Sequence, residues 1–406
     1  MNLLKRNFKR KVLKNGMTIL FEKRNVPVVS VAIAVRNGGI NEDLDEKGIS
    51  HFIEHMLYKG TKNRSCKDIA CEIEKNGGEL NGFTSEEVTA YWCKMPSRHI
   101  DVALEVLSDM VNNPLFDSVE FEKERKVIFE EIKLYHDNPR LHVFDEIQKQ
   151  LYSGTLSVTL AGTIKTMNSI SRDKMVEFFK ERYCSNNLIL CVVGNCEFSK
   201  IVDFANKNFK NSKGKIPIKP IGLRNARKIE EREGLDQANL VLAYHSPLIG
   251  DKKSAAADLL ATLMAGGMSS RLFSEIREKR NLAYAIKGDY QGTKNFAYSF
   301  IYVGTSKENI ALVEKLILEE FENLSTTLTQ KELDSIKEQM IGNYQISMED
   351  SQNQMVNLLS NELDSTAEDF YKFEEKIKKV KLTEVKELAK KVKGNYSLFA
   401  LVPKSK

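Results

Sequence analysis

His51 and His55 stand four residues apart with Glu54 between them. On a helix these three side chains share one side. Two imidazoles one turn apart can hold a single metal ion, and a carboxylate beside them that does not ligate can act as general base on a water the metal activates. Their neighbours Phe52, Ile53, Met56 and Leu57 are apolar. The helix is therefore expected in a core, where imidazoles and a carboxylate are costly to bury without a purpose. The competing reading is a chance grouping of three polar residues.

A catalytic zinc usually takes three protein ligands and leaves one position open. The best downstream source is the helical stretch 120–132. There Glu124 and Glu131 lie seven residues, two turns, apart on one face, and Glu130 points away. A solvated acidic face partnered by Lys123 and Lys126 explains the same residues. The helix alone leaves the choice open.

The elements that must position these residues belong to a large chain. At 406 residues it exceeds one ordinary core, so two or more domains are expected. Its 61 basic and 56 acidic residues make a mixed surface that gives nucleic-acid binding no support. No apolar stretch reaches membrane-spanning length, and residues 1–10 contain neither a signal-peptide core nor an anchor. That basic arm is read as part of the fold, with the cytoplasm as the expected compartment. The six cysteines form no Cys-x-x-Cys pair, so they are read as small, mostly buried residues of a reducing compartment.

The order of elements suggests an α+β fold. Residues 11–21 are expected to form a hairpin with Asn15-Gly16 as a type I′ turn. A strand over 28–35 precedes the His51 helix. A helix over 65–75 stops at Gly77-Gly78, and strands follow over 79–84 and 87–95. Long helices over 97–111, 117–135 and 140–151 lead to a helix over 171–182 and a buried strand over 188–193. The segment 214–234, with two prolines and a highly charged end, is expected to be a linker. After it the order restarts, with helices expected over 253–264 and 270–278, and ends in a helix over 382–392 and a strand over 396–402. This predicts an internal duplication: two tandem homologous domains, each a mixed or antiparallel β-sheet packed with α-helices. The expected limits are 1–213 for a metal-binding domain and 235–406 for a second domain that lacks the His-x-x-Glu-His pattern.

The order His-x-x-Glu-His is the inverzincin signature. Together with Tyr58-Lys59-Gly60-Thr61, Asn81-Gly82-Phe83-Thr84-Ser85 and Glu124-Arg125, it resembles the pitrilysin-type zinc peptidases. The resemblance is to bacterial members similar to the catalytic subunit of mitochondrial processing peptidase, and it spans essentially the whole chain. The interval of 76 residues from His55 to Glu131 matches that family's third ligand. The resemblance implies one zinc per chain on His51, His55 and Glu131, Glu54 as general base, and Glu124 as a carboxylate orienting a ligand. It implies an edge strand at 79–84 on which Asn81, Gly82 and Phe83 take an extended peptide. Arg277 and Tyr284 match its donors to the scissile carbonyl. The expected activity is a zinc endopeptidase for peptides or short unfolded segments in a closed chamber. A homodimer is expected, or a heterodimer with a related chain. The rival reading is a non-catalytic peptide-binding partner subunit. Gly154-Thr155 replaces the His-Pro that relatives often carry, and Gly266-Gly267 stands where the partner subunit has a long glycine-rich loop. His99, His136, His142 and His245 lack ligand spacing.

Overall fold

The structure is a computed structural model that describes residues 7–404. Of the amino-terminal arm, residues 1–6 lie outside the described residues. The chain runs through β1 (Phe8–Val12), β2 (Thr18–Lys23), β3 (Val28–Val35), α1 (Ile49–Leu57), α2 (Cys66–Glu74), β4 (Glu79–Thr84), β5 (Thr89–Pro96), α3 (Ile100–Asn112) and α4 (Ser118–Asp137). It continues with α5 (Pro139–Leu151), β6 (Tyr152–Ser153), α6 (Ile164–Ser169), α7 (Arg172–Arg182), β7 (Leu188–Gly194), α8 (Phe198–Asn208), β8 (Gly222–Leu223), β9 (Arg227–Arg232) and β10 (Ala238–His245). The remainder is α9 (Ser254–Ala265), β11 (Ala283–Gly292), β12 (Ala297–Thr305), α10 (Ile310–Thr327), α11 (Gln330–Ser347), α12 (Ser351–Asp364), α13 (Phe373–Lys379), α14 (Leu382–Val392) and β13 (Ser397–Pro403).

Two compact units emerge, and each is discontinuous. Of the described residues, the first takes 7–133, 158–220 and 347–371, and the second takes 134–157, 221–346 and 372–404. The first unit holds a six-stranded sheet ordered β1-β2-β7-β3-β5-β4. The second holds a five-stranded sheet ordered β11-β12-β10-β13-β9. Apart from β1 the two sheets have one topology. The parallel pair β2–β7 has its counterpart in β9–β13, and the antiparallel run β7-β3-β5-β4 in β13-β10-β12-β11. This is the duplicated α+β architecture that the sequence suggests.

Strands β3 and β7 lie in the middle of the first sheet and are almost wholly buried, as expected of strands covered on both faces. Helices α1 and α3 contribute Ile49, Phe52, Ile53, Leu104 and Leu107 to the same core. The second unit has its own core, built from β10, α9, α10 and α14 through residues such as Leu240, Leu260, Ile317 and Val385.

Four local expectations change. Val12 pairs with Thr18, and the Leu13 N–H donates to the Met17 carbonyl at 2.9 Å. The β1–β2 connection is therefore Lys14-Asn15-Gly16, and only Gly16 has a positive φ, 86°. A type I′ turn needs positive φ at both central residues, so Asn15-Gly16 is not one. Part of the expected linker is strand β9, the second sheet's counterpart of β2. Its sequence RKIEER leaves charged groups along an exposed edge, so it lacks the apolar alternation by which strands are read. Residues Phe273–Glu278 form a π-helical segment rather than an ordinary α-helix. Finally, α12 and the residues up to 371 belong to the first unit, well beyond the single stretch 1–213 expected for it.

Candidate metal centre

Helix α1 divides its side chains sharply. Ile49, Phe52, Ile53, Met56 and Leu57 are completely buried, and such burial contributes about 1.5–3 kcal/mol for each large apolar side chain. His51, Glu54, His55 and Tyr58 occupy the partly exposed face. The helix begins at Gly48, whose φ of 98° favours glycine, so its N-cap offers no side chain. Instead the Glu42 carboxylate accepts the N–H groups of Gly48 and Ser50 at 2.9 and 2.8 Å. The metal-side helix is thus capped from upstream.

Helix α4 docks on α1 through stacked rings. Phe52 and Phe121 lie 4.7 Å apart at 14°, and the Arg125 guanidinium sits 4.8 Å over Phe121. Arg125 also donates to the carbonyls of Met167 and Ile170, which fixes the helix from its other side. This docking brings Glu124 and Glu131, two turns apart on α4, to the histidine face of α1. Glu130 points elsewhere and pairs with Lys133.

Nε2 of His51 and Nε2 of His55 both face Oε2 of Glu131, at 3.6 and 3.5 Å. One ligand atom from each of these residues lies within 4.8 Å of the others, the one such grouping among the described residues. A tetrahedral zinc with bonds near 2.0–2.1 Å separates its ligand atoms by about 3.3 Å. The donor set therefore fits that ion in type and spacing. His55 Nδ1 lies 3.1 Å from Glu124 Oε2, and Lys59 Nζ holds the other oxygen of Glu124 at 2.7 Å. A carboxylate on the far nitrogen fixes the orientation and tautomer of a ligating imidazole. Nδ1 of His51, by contrast, is buried and has no hydrogen-bond partner.

The electrostatics differ between the two rings. Burial pulls the His51 imidazole well below its ordinary range, and the neighbouring His55 adds to this against the pull of Glu131. Burial also pulls His55 down, but its hydrogen bonds to the Glu124 and Glu131 carboxylates and the nearby negative charges outweigh it and raise that ring to about 9. Glu131 is held low: its bond to His55 and the charge of both rings outweigh its burial.

Glu54 does not join the ligand cluster. Its Oε2 accepts the Thr84 hydroxyl at 2.8 Å. Its carboxyl is pushed upward by burial and by the Glu131 charge, against the pull of Thr84 and His55. Its Oε1 faces Gly82 so closely that a Cβ there would stand 3.1 Å from Oε1 and 2.5 Å from the Tyr58 hydroxyl. Only glycine leaves β4 this near to α1.

Asn81, Gly82 and Phe83 all lie on β4, the free edge of the first sheet. Asn81 Oδ1 accepts the Gly82 N–H at 2.8 Å. Arg277 and Tyr284 lie in the second unit, on the wall of an open cavity of about 810 Å³ formed by that unit's own residues. The Arg277 guanidinium stacks 4.8 Å over Phe273. Tyr284 sits at a register shift between β11 and β12, half exposed, with its ring over Gly304. Such bulges re-aim a strand side chain. Sequence reasoning missed the roles of Thr84, Lys59 and Glu42. Lys59 had a signal, standing four residues after His55 just beyond the end of α1; the other two meet α1 only through the fold.

Comparisons with known proteins bear on the family and the fold. A family model described as Insulinase (Peptidase family M16) matches residues 18–164, and one described as Peptidase M16 inactive domain matches residues 169–340. The chain is 34% identical over 355 residues to an uncharacterized zinc protease of Rickettsia felis, covering 85% of each. It is 34% identical over 363 residues to an uncharacterized zinc protease of Bacillus subtilis, covering 87% of this chain and 88% of that one. Its fold is similar to the crystal structure of a protease from Helicobacter pylori, with a TM-score of 0.90 at 22% identity over 98% of this chain and 99% of that one. Among the described residues no helix is long and apolar enough to cross a membrane.

Proposed function

Since the chain belongs to the pitrilysin-type peptidase family M16, we propose that it is a zinc-dependent endopeptidase that hydrolyses extended peptides. The observation that carries this reading is the convergence of two imidazole Nε2 atoms on one Glu131 oxygen, with the Glu54 carboxylate adjacent but outside the cluster. His51, His55 and Glu131 would hold the zinc, whose contribution is Lewis-acid polarisation of water and of the peptide carbonyl. Glu124 and Lys59 keep His55 in the orientation that presents Nε2. Glu54 accepts the proton of the attacking water and returns it to the departing amine nitrogen; its upward-shifted carboxyl suits a base that must later act as an acid. The free edge of β4 supplies main-chain donors and acceptors for a peptide added as a further strand, at Asn81, Gly82 and Phe83. Arg277 and Tyr284 carry the remaining donors, assigned to the substrate carbonyl oxygen.

The test compares two glutamate variants with the wild type on an unstructured peptide. Glu54→Gln should retain zinc and peptide binding and lose turnover by roughly two to four orders of magnitude, the span of a general-base contribution. Glu131→Gln should instead lower zinc affinity. Peptide cleavage by Glu54→Gln at the wild-type rate would remove the proposed mechanism.

A further inference from the structure

Lys47 is completely buried, an uncommon place for an ammonium group. Its Nζ donates to the Gly39 carbonyl at 2.9 Å and to Glu86 Oε2 at 3.2 Å, and lies 3.9 Å from Glu42 Oε2. These partners belong to two pieces of the first unit, the loop that precedes α1 and the turn between β4 and β5. Glu42 is the carboxylate that caps α1. Gly39 lies in the loop before it. Glu86 sits in the turn joining β4 to β5, two residues beyond Thr84, the residue that holds Glu54.

The loop and the turn also meet backbone to backbone. The N–H groups of Gly39 and Ile40 donate to the carbonyls of Ser85 and Glu86 at 3.1 and 2.9 Å. A Cβ at Gly38 would come within 2.2 Å of the Ser85 carbonyl oxygen, so no larger residue permits this contact. A buried ammonium left with one carboxylate removed is costly, which makes such a cluster stiff as long as it is complete. Glu42 and Glu86 are both pushed upward by burial, while Lys47 pulls each back.

We propose that Lys47 is a positioning residue that sets the edge hairpin β4–β5 against the start of the metal-side helix, fixing Thr84 on Glu54 and the peptide-receiving edge on the metal centre. The proposal rests on the peptidase reading for its consequence and on the buried contacts for its geometry. The zinc ligands sit on α1 and α4, whereas the link through Glu86 reaches only the hairpin. Cutting that link should therefore disturb substrate alignment and leave the metal alone.

The test uses full-length Glu86→Ala, in which Lys47 keeps Glu42 and the Gly39 carbonyl, and Glu86→Gln, which restores an acceptor of the same length. Three quantities are measured: zinc affinity by competition with a chromophoric chelator, kcat and KM on an unstructured peptide, and amide exchange at Gly39 and Ile40. For Glu86→Ala the expected result is zinc affinity within twofold of wild type, kcat/KM down at least about tenfold, and faster exchange at both amides. Glu86→Gln should recover kcat/KM to within about threefold. Wild-type kcat/KM and exchange in Glu86→Ala would overturn the proposal. So would zinc affinity and activity falling in parallel, because that marks a loss of fold rather than of alignment. Should the wild type not cleave peptides, the peptidase reading fails separately. Exchange and peptide affinity by fluorescence anisotropy then decide: faster exchange with weaker peptide binding at unchanged zinc affinity supports the positioning role, and unchanged values overturn it.

Discussion

The Thr84 hydroxyl donates to Glu54 Oε2 at 2.8 Å, so a side chain on the edge strand aims a carboxylate carried by the metal-side helix. The same strand that is assigned to receive a peptide thus orients the assigned base. Oε1 of Glu54 is left free on the side of Gly82.

Thr84→Val keeps the shape of the side chain and removes the donor. A hydrogen bond to a charged group contributes about 1.5–3 kcal/mol, so kcat should fall about tenfold to a hundredfold. Zinc affinity should stay at the wild-type value, since Thr84 touches no ligand. The lost donor favoured the ionised carboxylate, so the acidic limb of the pH profile of kcat should move to higher pH. Steady-state kinetics across pH 5–9 reads both effects; an unmoved limb with unchanged kcat would show that Thr84 does not serve the base.

Zinc binding should release about one proton near pH 7.5. In the metal-free chain His55 is raised to about 9, its carboxylate partners outweighing burial, whereas burial holds His51 low and therefore neutral. Ligation needs both nitrogen lone pairs, so the His55 proton must leave. Zinc affinity accordingly increases as pH rises toward 9. Titration calorimetry in buffers of different ionisation heat gives the proton count directly, and a count of zero would contradict the charge assigned to His55.

The parts of the site legible in the sequence were those set by one helix. The spacing of His51, Glu54 and His55 placed them on one side of α1, and two turns of α4 placed Glu124 with Glu131. The reach of α4 onto α1 was not legible, because it depends on Phe52 stacking on Phe121, 69 positions further along the chain. Nor was Thr84, which meets Glu54 only through the pairing of β4 with β5. Strand β9 was hidden by charge on both faces. Helix α12 was detectable: Met355, Leu358, Leu359 and Leu363 keep helical spacing, and Asp350 caps it. Its membership of the first unit was not, since nothing in the local pattern names the sheet on which its apolar stripe packs.

Glu42 should leave a mark on stability against pH. Burial pushes its carboxyl from an ordinary 4.5 up to about 7, with Lys47 and the Gly48 and Ser50 N–H groups pulling back. Between those values the folded chain binds more protons than the unfolded one, so this group makes stability fall as pH rises through that window. The full span is worth up to about 3 kcal/mol at 1.36 kcal/mol per pKa unit. Glu42→Gln cannot titrate. Urea unfolding of both proteins from pH 4.5 to 8 should show the wild type losing stability relative to the variant as pH rises, and a constant difference would place the titration of Glu42 elsewhere.

Tyr284→Phe removes one hydroxyl from a half-exposed strand residue. Folding and zinc content should be unchanged. If the hydroxyl serves the substrate carbonyl, kcat/KM should drop roughly tenfold to a thousandfold, the range for one oxyanion donor. Equal kcat/KM in variant and wild type would take Tyr284 out of the site.

A chain ending at residue 213 should fail to reproduce the metal-binding unit, although it contains His51, His55 and Glu131. That truncation removes residues 347–371, which belong to the first unit. Helix α12 packs on β3 and β7 and buries Met355, Leu358 and Leu359 almost completely. Its Glu362 pairs with Arg10 and Arg36 at 2.8 Å each. Its Gln354 donates to the buried Glu22 carboxylate at 2.7 Å, and the Tyr371 hydroxyl donates to the same group. Without these partners the sheet exposes an apolar face and leaves Glu22 short of donors, and each large apolar side chain that loses its cover costs about 1.5–3 kcal/mol. The truncated chain is expected to aggregate or to unfold at low denaturant, with zinc bound weakly. Adding a peptide of residues 347–371 should restore a cooperative transition and raise zinc affinity. Circular dichroism melts and chelator competition on the truncated chain, alone and with the peptide, read the outcome; a stable, fully zinc-loaded truncated chain without the peptide would show that α12 is dispensable to the unit.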